Sequence, residues 1–381
     1  MQTHSDYSSI SKASASTYSH EILSGWDTLE SMRAEIVELE SHAAHRNIFF
    51  DFDWITSWHN QLSSGRGQNN LGGETVFIAL YDESDTLVAF WPFFQVPGIK
   101  RPGLWPVACQ SGDYYEPVVS SLDPSLLLAL AKGIKELWKT HSFVWLPIIR
   151  QYFYLEHLEA ALKKAGLWIH KRKRSTNSFI QIPQHESAED YFAHCMGTKT
   201  RQTLDRKKRR LAERGTISIE SFETREHVKR ALPVIAKIED ANWKTEHGLG
   251  LFSKSGLKKF YFEVLPSLAE RQKARVSILY INKKPIAYEM ALIDGMHYLM
   301  HNLAYLPDYK SYSPGIQLLM GNIAWCFDQK FATYDFLQGS ADYKSRFANT
   351  EQPLLDLTLL PRNIVGTLHY LLVSLFQRKK K

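Results

Sequence analysis

Residues 276–305 constrain the fold of this 381-residue chain more than any other stretch. Three β-rich runs, 276–281, 286–293 and 298–305, follow one another with only four residues between each pair and turns at residues 282–284 and 294–295. Connections that short can only turn a strand back beside its predecessor, so the stretch predicts an antiparallel three-strand meander. The apolar period then lengthens from two to about 3.6, which predicts a helix over 314–329. A short strand at 333–337 and a later one at 354–360 follow. Upstream lie a strand at 217–222 and helices near 228–243 and 256–272. Two helices, a meander, a helix and a strand bury their apolar faces only as a mixed sheet with helices packed on it, so the fold class is α/β (mixed α+β).

The first half repeats that order loosely. Helices are predicted at 29–42 and 54–62, a hairpin at 74–81 and 86–94 across residues 82–85, then helices at 126–138 and 155–167 around a buried strand at 143–146. A Pro and Gly stretch over 97–106 ends the hairpin, and another strand is expected at 178–182. No residue-level repeat is visible, but the order supports two related domains, and 381 residues suffice for both. With 44% hydrophobic and 23% charged residues, general disorder is excluded.

Charge is local. The net +6 is matched by residues 199–214 alone, with eight bases (Lys199, Arg201, Arg206, Lys207, Lys208, Arg209, Arg210, Arg214) against Asp205 and Glu213, on a helix predicted over 191–214. Such a cluster could meet nucleic acid, an anionic acceptor or an anionic donor, or be a solvated face. Aromatic interleaving is absent, so nucleic acid is not expected as a partner. The cysteines, Cys109, Cys195 and Cys326, are odd in number and scattered, which predicts reduced thiols in a cytoplasmic protein.

The chemistry points to Tyr312-Ser313-Pro314-Gly315, directly after the meander. Ser at N-cap and Pro at the first helical position are strong start signals. Gly315 removes a side chain from the first turn, and Gln317 completes it. Exposed amides at the positive end of a helix dipole give a phosphate a place to approach. A capped helix without a ligand is the alternative.

Together with Tyr334-Asp335-Phe336-Leu337-Gln338-Gly339 and Tyr343-Lys344, these residues resemble the C-terminal signature of the CelD/BcsL group of GNAT-like acyltransferases. Phe52-Asp53-Trp54 with Trp58, Asp113-Tyr114, the basic helix over 201–211, Asn242-Trp243-Lys244 and Ile286-Ala287 fit the same family. The resemblance spans about residues 45–360. It implies tandem GNAT-like domains related to the Fem peptidoglycan aminoacyl transferases, at 21–182 and 183–361, between a flexible N-terminus (1–20) and a C-terminal helix (362–381). It further implies acyl-CoA as donor, Tyr312, Ser313, Pro314, Gly315 and Gln317 as its binding residues, and Asp113, Tyr114, Arg201, Arg206 and Trp243 on the acceptor side. One departure is the Ser340-Ala341-Asp342 segment, where the family's acidic residue comes one position earlier.

A thioester is already activated, so the site must position an amine or hydroxyl, remove its proton and stabilise an oxyanion. Glu289 and His301 are candidate bases because each interrupts an apolar strand; a solvated sheet face and a core histidine are the alternatives. Tyr305, Tyr309 and Tyr312 could protonate the leaving thiolate, and Asp335, Tyr343 and Lys344 could contact acceptor or phosphate. His297 and His301, four residues apart on a strand, stand roughly 13 Å from each other, too far to share a metal, and no metal is expected.

Residues 1–19 lack a secretion signal, and the longest apolar run, 364–376, falls short of the roughly 20 residues that span a bilayer. That run ends in Arg378-Lys379-Lys380-Lys381, so the tail could dock on an anionic inner membrane surface or pack on the second domain. The resulting expectation is an acyl-CoA-dependent acyltransferase acting on an amine of a sugar in exopolysaccharide or cell-envelope synthesis. The alternatives are a long-chain acyl-CoA N-acyltransferase making an amide-linked lipid, a Fem-like aminoacyl-tRNA transferase and a non-catalytic glycan- or partner-binding module.

Overall fold

Both halves of the chain lay down strands in one order. In the first half these are β1 (Ser19–Ser24), β2 (Thr75–Tyr81), β3 (Leu87–Val96), β4 (Gly103–Pro106) and the short β5 (Val118–Val119), then β6 (Val144–Arg150) and β7 (Leu167–Gln181). In the second they are β8 (Ile217–Phe222), β9 (Ala274–Ile281), β10 (Lys284–Asp294), β11 (His297–Tyr305), β12 (Thr333–Gln338) and β13 (Thr350–Pro361). The computed structural model describes residues 18–63, 73–98, 101–151, 153–183, 186–241, 250–252, 255–339, 341–364 and 366–367.

All these strands form one sheet, in the order β1-β2-β3-β4-β6-β13-β7-β12-β11-β10-β9-β8, with β5 against β3. Four antiparallel strands lead each half to a single parallel pair, β4 with β6 and β11 with β12. A parallel pair needs a crossover, and helices Pro124–Leu137 and Pro314–Asp328 supply it. The last strand of each half then crosses over: β13 pairs with β6, and β7 with β12. The two crossing strands also pair with each other, from Thr350 opposite Phe179 to Pro361 opposite Leu167.

The predicted α/β class and mixed sheet are what the chain adopts. The differences have physical causes. Strand β7 begins at Leu167, well before the expected 178, and runs through Lys171, Arg172, Lys173 and Arg174. Four consecutive cations hide a strand from apolar periodicity; here Arg172 and Arg174 are compensated by Asp356 of the neighbouring β13, at 3.2 and 3.4 Å. Strand β4 lies inside the expected Pro and Gly stretch. The basic helix is two, Ala188–Cys195 and Thr198–Ala212, broken at Met196 and Gly197.

The largest apolar core joins the first half to helices Arg225–Asp240 and Ser255–Glu270 and to one face of the second-half meander. A smaller core fills the opposite face under helix Pro314–Asp328. Ion pairs also cross between the halves: Lys273 Nζ meets Asp51 at 2.5 Å and Glu40 at 3.2 Å, and Arg271 meets Asp53 at 2.8 Å.

Candidate functional site

Strands β11 and β12 pair only from His297 with Thr333 to Leu299 with Asp335. Beyond that they part, leaving a gap between residues 300–305 and 336–338. A bulge sets Met290 opposite Asn302 and Ala291 opposite Met300, so His301 is the extra residue. Bulges re-aim side chains, and this one turns His301 and Asn302 to the same face: His301 bonds to Tyr261, and Asn302 to Tyr288.

The chain leaves β11 through a short 3₁₀ turn, Pro307–Tyr312, and enters the helix at Pro314. Ser313, at the N-cap position, is left-handed (φ 51°, ψ 51°), and no side chain caps this helix. A capping hydroxyl normally works from extended backbone, so the expected Ser313 cap does not form. Its hydroxyl instead meets Lys207 Nζ at 2.8 Å. Gln317 ties the turn together, its amide donating to the Ser313 carbonyl at 3.1 Å and its side chain to the Tyr312 carbonyl at 2.8 Å. Arg214 donates to the Tyr312 hydroxyl at 3.3 Å. The result is a helix start with uncapped first amides and two cations beside it, a place suited to an anion. Gly315 is needed below this corner: a Cβ there would lie 2.8 Å from Leu303 Cδ2 and 3.2 Å from the Tyr305 ring. Its bareness lets the helix start seat on β11.

Across the gap, residues of both halves converge. The Tyr114 hydroxyl donates to Asp335 Oδ2 at 2.8 Å, and Asp335 Oδ1 accepts from the Leu337 amide at 2.7 Å. Asp113 Oδ2 stands 4.0 Å from His301 Nδ1. His301 Nε2 is hydrogen-bonded to the Tyr261 hydroxyl at 2.8 Å, while Nδ1, buried, has no hydrogen-bond partner among the described residues. Trp54, Phe49 and Tyr261 enclose the imidazole, with ring centroids at 5.7, 6.1 and 5.5 Å. Burial accordingly pulls it down to about 4, so it is neutral at pH 7. Asp113 is surrounded but keeps 22% of its side chain open. Burial pushes it up to about 6, Asp335 adding to the rise while Lys344 and Arg174 oppose it. Asp335 is also raised, by burial, against the Leu337 and Tyr114 hydrogen bonds.

Glu289 lies on the other face, fully buried beneath the crossover helix. Its Oε1 accepts from the hydroxyls of Tyr298 (2.8 Å) and Tyr334 (2.9 Å). Burial raises it to about 7, with both phenols and Arg275 pulling the other way. It is neither on a solvated face nor beside Asp113 and His301. Tyr343 is close enough for Glu289 to help burial push its phenol to about 12.

Known proteins place this geometry. Residues 198–345 match the acetyltransferase (GNAT) domain model. Among solved structures the chain is similar to the crystal structure of FemX, at 10% identity and TM-score 0.62 over 92% of this chain and 99% of that one. It is also similar to a conserved protein of unknown function from Bacteroides thetaiotaomicron VPI-5482, at 13% identity and TM-score 0.54 over 86% and 96%. At these identities the likeness is one of fold. No curated protein matches the sequence. A GNAT domain implies an acyl donor and an amine acceptor, so the second half is of the N-acyltransferase type. No helix of the described residues is long and apolar enough to cross a membrane, and no group of three His, Cys, Asp or Glu among them could hold a metal.

The structure gathers Asp113, Tyr114, His301 and Asp335 on one side of the gap and Tyr312, Ser313, Pro314, Gly315 and Gln317 at its mouth. The Tyr305 ring lies under Gly315. Lys344 Nζ donates to the carbonyls of Phe336 and Gln338, each at 2.7 Å, so its charge is engaged by the end of β12. Arg201 is half-buried and Arg206 exposed, and neither hydrogen-bonds the corner residues. Trp243, with Asn242 and Lys244, and most of the C-terminal helix lie outside the described residues. Sequence reasoning named Lys207 only as one of the eight bases of the basic cluster, without a place at the corner, and did not single out Tyr261. For Lys207 a signal existed: the buried Leu204 and Leu211 mark one helical stripe, and Lys207 and Arg214 each follow it by three residues.

Proposed function

We propose that the chain is an acyl-CoA-dependent N-acyltransferase of the CelD/BcsL type, acylating an amine on a sugar of an exopolysaccharide or cell-envelope precursor. The observation that carries this reading is the uncapped helix start at Ser313, with Lys207 on its hydroxyl, opening onto the gap between β11 and β12. The diphosphate of the donor would rest on the first amides of that helix and on Lys207, and its acyl arm would enter the gap. The donor supplies an activated carbonyl; the chain's own residues position the amine and take its proton.

The acceptor would approach from the face carrying Asp113, His301 and Asp335. Asp113 is ionised above about pH 6 and partly open, so it can accept the proton of the attacking amine. Tyr261 fixes His301 by Nε2 and leaves Nδ1 to hold the same nitrogen in line. Lys344 is a positioning residue: it grips the end of β12 and keeps the gap open. The N–C bond forms and the C–S bond breaks; the amine's proton passes to Asp113, and the thiolate leaves and is protonated from solvent to the free thiol.

Release of free thiol from acetyl-CoA and palmitoyl-CoA, with amino sugars and with sphingoid amines as acceptors, tests the reading. The expected result is thiol release with a short acyl chain and an amino sugar, rising with pH through about 6 and reduced about 100-fold in Asp113→Asn. Release only with palmitoyl-CoA and a lipid amine would move the acceptor to lipid synthesis. No acceptor-dependent release from either donor would refute the reading.

A further inference from the structure

Beyond the corner, the basic helix ends in an open groove of about 760 Å³, lined by Lys208, Arg209, Glu213, Arg214, Thr216 and Asn282. We infer that Lys208, Arg209 and Arg214 form a second phosphate site, which takes the ribose 3′-phosphate of the donor's nucleotide. The inference rests on the acyl-CoA reading above and adds to it the recognition of the far end of the carrier.

Three observations support it. The first is continuity: Lys207 touches Ser313, and Arg214 touches Tyr312, both by its hydrogen bond and with its guanidinium 5.8 Å from the ring centre. Lys207 lies within the helix and Arg214 two residues past its end, so the two cations stand roughly 10 Å apart along the axis and one side of the helix end leads from the corner into the groove. In a coenzyme A thioester the 3′-phosphate hangs one ribose away from the diphosphate, and a carrier seated at the corner would present it along this path.

The second is charge. Lys208, Arg209 and Arg214 are exposed, and among the described residues none is paired with a carboxylate. Lys171, Arg271, Lys273 and Arg275, by contrast, each meet an acid. Glu213 is the single acid in the groove lining. Unpaired cations converging on one concavity attract a multiply charged anion rather than merely solvating a face.

The third is a built floor. Asn282 accepts from the Thr216 amide at 2.9 Å and donates to the Arg214 carbonyl at 3.2 Å, so its amide is committed to holding the loop. Between them Gly215 has φ 153°, and a Cβ there would lie 2.2 Å from Asn282 Nδ2. The loop therefore admits only glycine, and the chain reverses tightly enough to set Arg214 beside the helix end.

Titration calorimetry with coenzyme A and 3′-dephospho-coenzyme A tests this on the full chain, wild type and a Lys208→Ala, Arg209→Ala double variant, which leaves Arg214 in place beside the corner. Both substituted side chains are exposed, so folding is not at stake. The wild type should bind the dephospho form about tenfold more weakly, and the variant should bind both forms at that weaker level. Equal wild-type affinities, or discrimination that survives in the variant, would overturn the inference while leaving the acyl-CoA reading intact. Binding of neither form would overturn both. If instead a CCA-ended RNA hairpin bound and the variant lost it, the groove would be an RNA contact and the inference wrong.

Discussion

The helix start at Pro314 has a counterpart at Pro124, and the two are built oppositely. Each opens the crossover between the strands of a parallel pair, β11 to β12 in one case and β4 to β6 in the other. At Pro124 the N-cap is Asp123, whose Oδ1 accepts from the Ser125 amide at 3.0 Å and whose Oδ2 accepts from the hydroxyls of Ser125 (2.6 Å) and Tyr18 (3.3 Å). Partial burial pushes that carboxyl up, but these hydrogen bonds outweigh it and hold it below its usual range, so it stays charged. At Pro314 the same position holds an uncapped serine and a lysine.

The gaps differ likewise. Strands β4 and β6 share one bridge, Leu104 with Val144, and the next residues, Trp105 and Trp145, bring their rings to 4.7 Å and fill the divergence. The repeated topology therefore carries the same helix-start architecture twice, with an acid at one start and a cation at the other. At the first start a carboxylate occupies the first amides and would repel a phosphate, and tryptophan rings fill the adjoining gap.

Giving the second corner the charge of the first should have the largest effect. Lys207→Glu is expected to lower donor affinity about 100-fold by calorimetry, through loss of a cation and gain of a repelling anion. Unchanged affinity would break the comparison.

The acid buried in the second half gives a smaller effect. The counterpart of β10 is β3, Leu-Val-Ala-Phe-Trp-Pro-Phe-Phe-Gln-Val, which has no acid where β10 has Glu289. Folded, Glu289 titrates near 7; its ordinary value is 4.5. Below about 4.5 both states hold the proton and nothing is lost. As pH rises through about 7, ionisation favours the unfolded chain, which keeps the lower value, and stability falls. Denaturant melts of Glu289→Gln should lose of order 1–3 kcal/mol less than the wild type between pH 5 and 7.5. Parallel profiles for the two proteins would show that Glu289 does not carry that proton.

The smallest effect belongs to the closed corner. Asp123→Ala should cost about 1 kcal/mol of stability, as the loss of an N-cap does, with donor affinity unchanged. A gain of a second donor site in this variant would mean that the carboxylate alone had been hiding a working corner.

The meander, the crossover helix and the corner after it were legible because their apolar periods are clean and because Pro and Gly punctuate them. The exchange of β7 and β13 was not, since four consecutive cations break the apolar pattern of β7, and two of them, Arg172 and Arg174, find their partner on a strand more than 180 residues away. Ser313 was legible as a helix start but not as a left-handed residue, because capping preferences assume extended backbone. Asp113 and His301 each stood out, one by family resemblance and one by polarity in an apolar strand. Their meeting depends on the packing of the halves, which no local pattern encodes. Glu289 carries the same polar-in-apolar signal as His301, and only the alternation of faces and the bulge at His301 separate a buried acid from a group beside the gap.

The most direct measurement is the stoichiometry of coenzyme A binding to the full chain by titration calorimetry, with Gly315→Trp alongside. One site per chain, abolished by filling the seat of the Pro314 helix start, is the predicted result. Two sites per chain, or one that survives in Gly315→Trp, would contradict the assignment of the donor to the second corner.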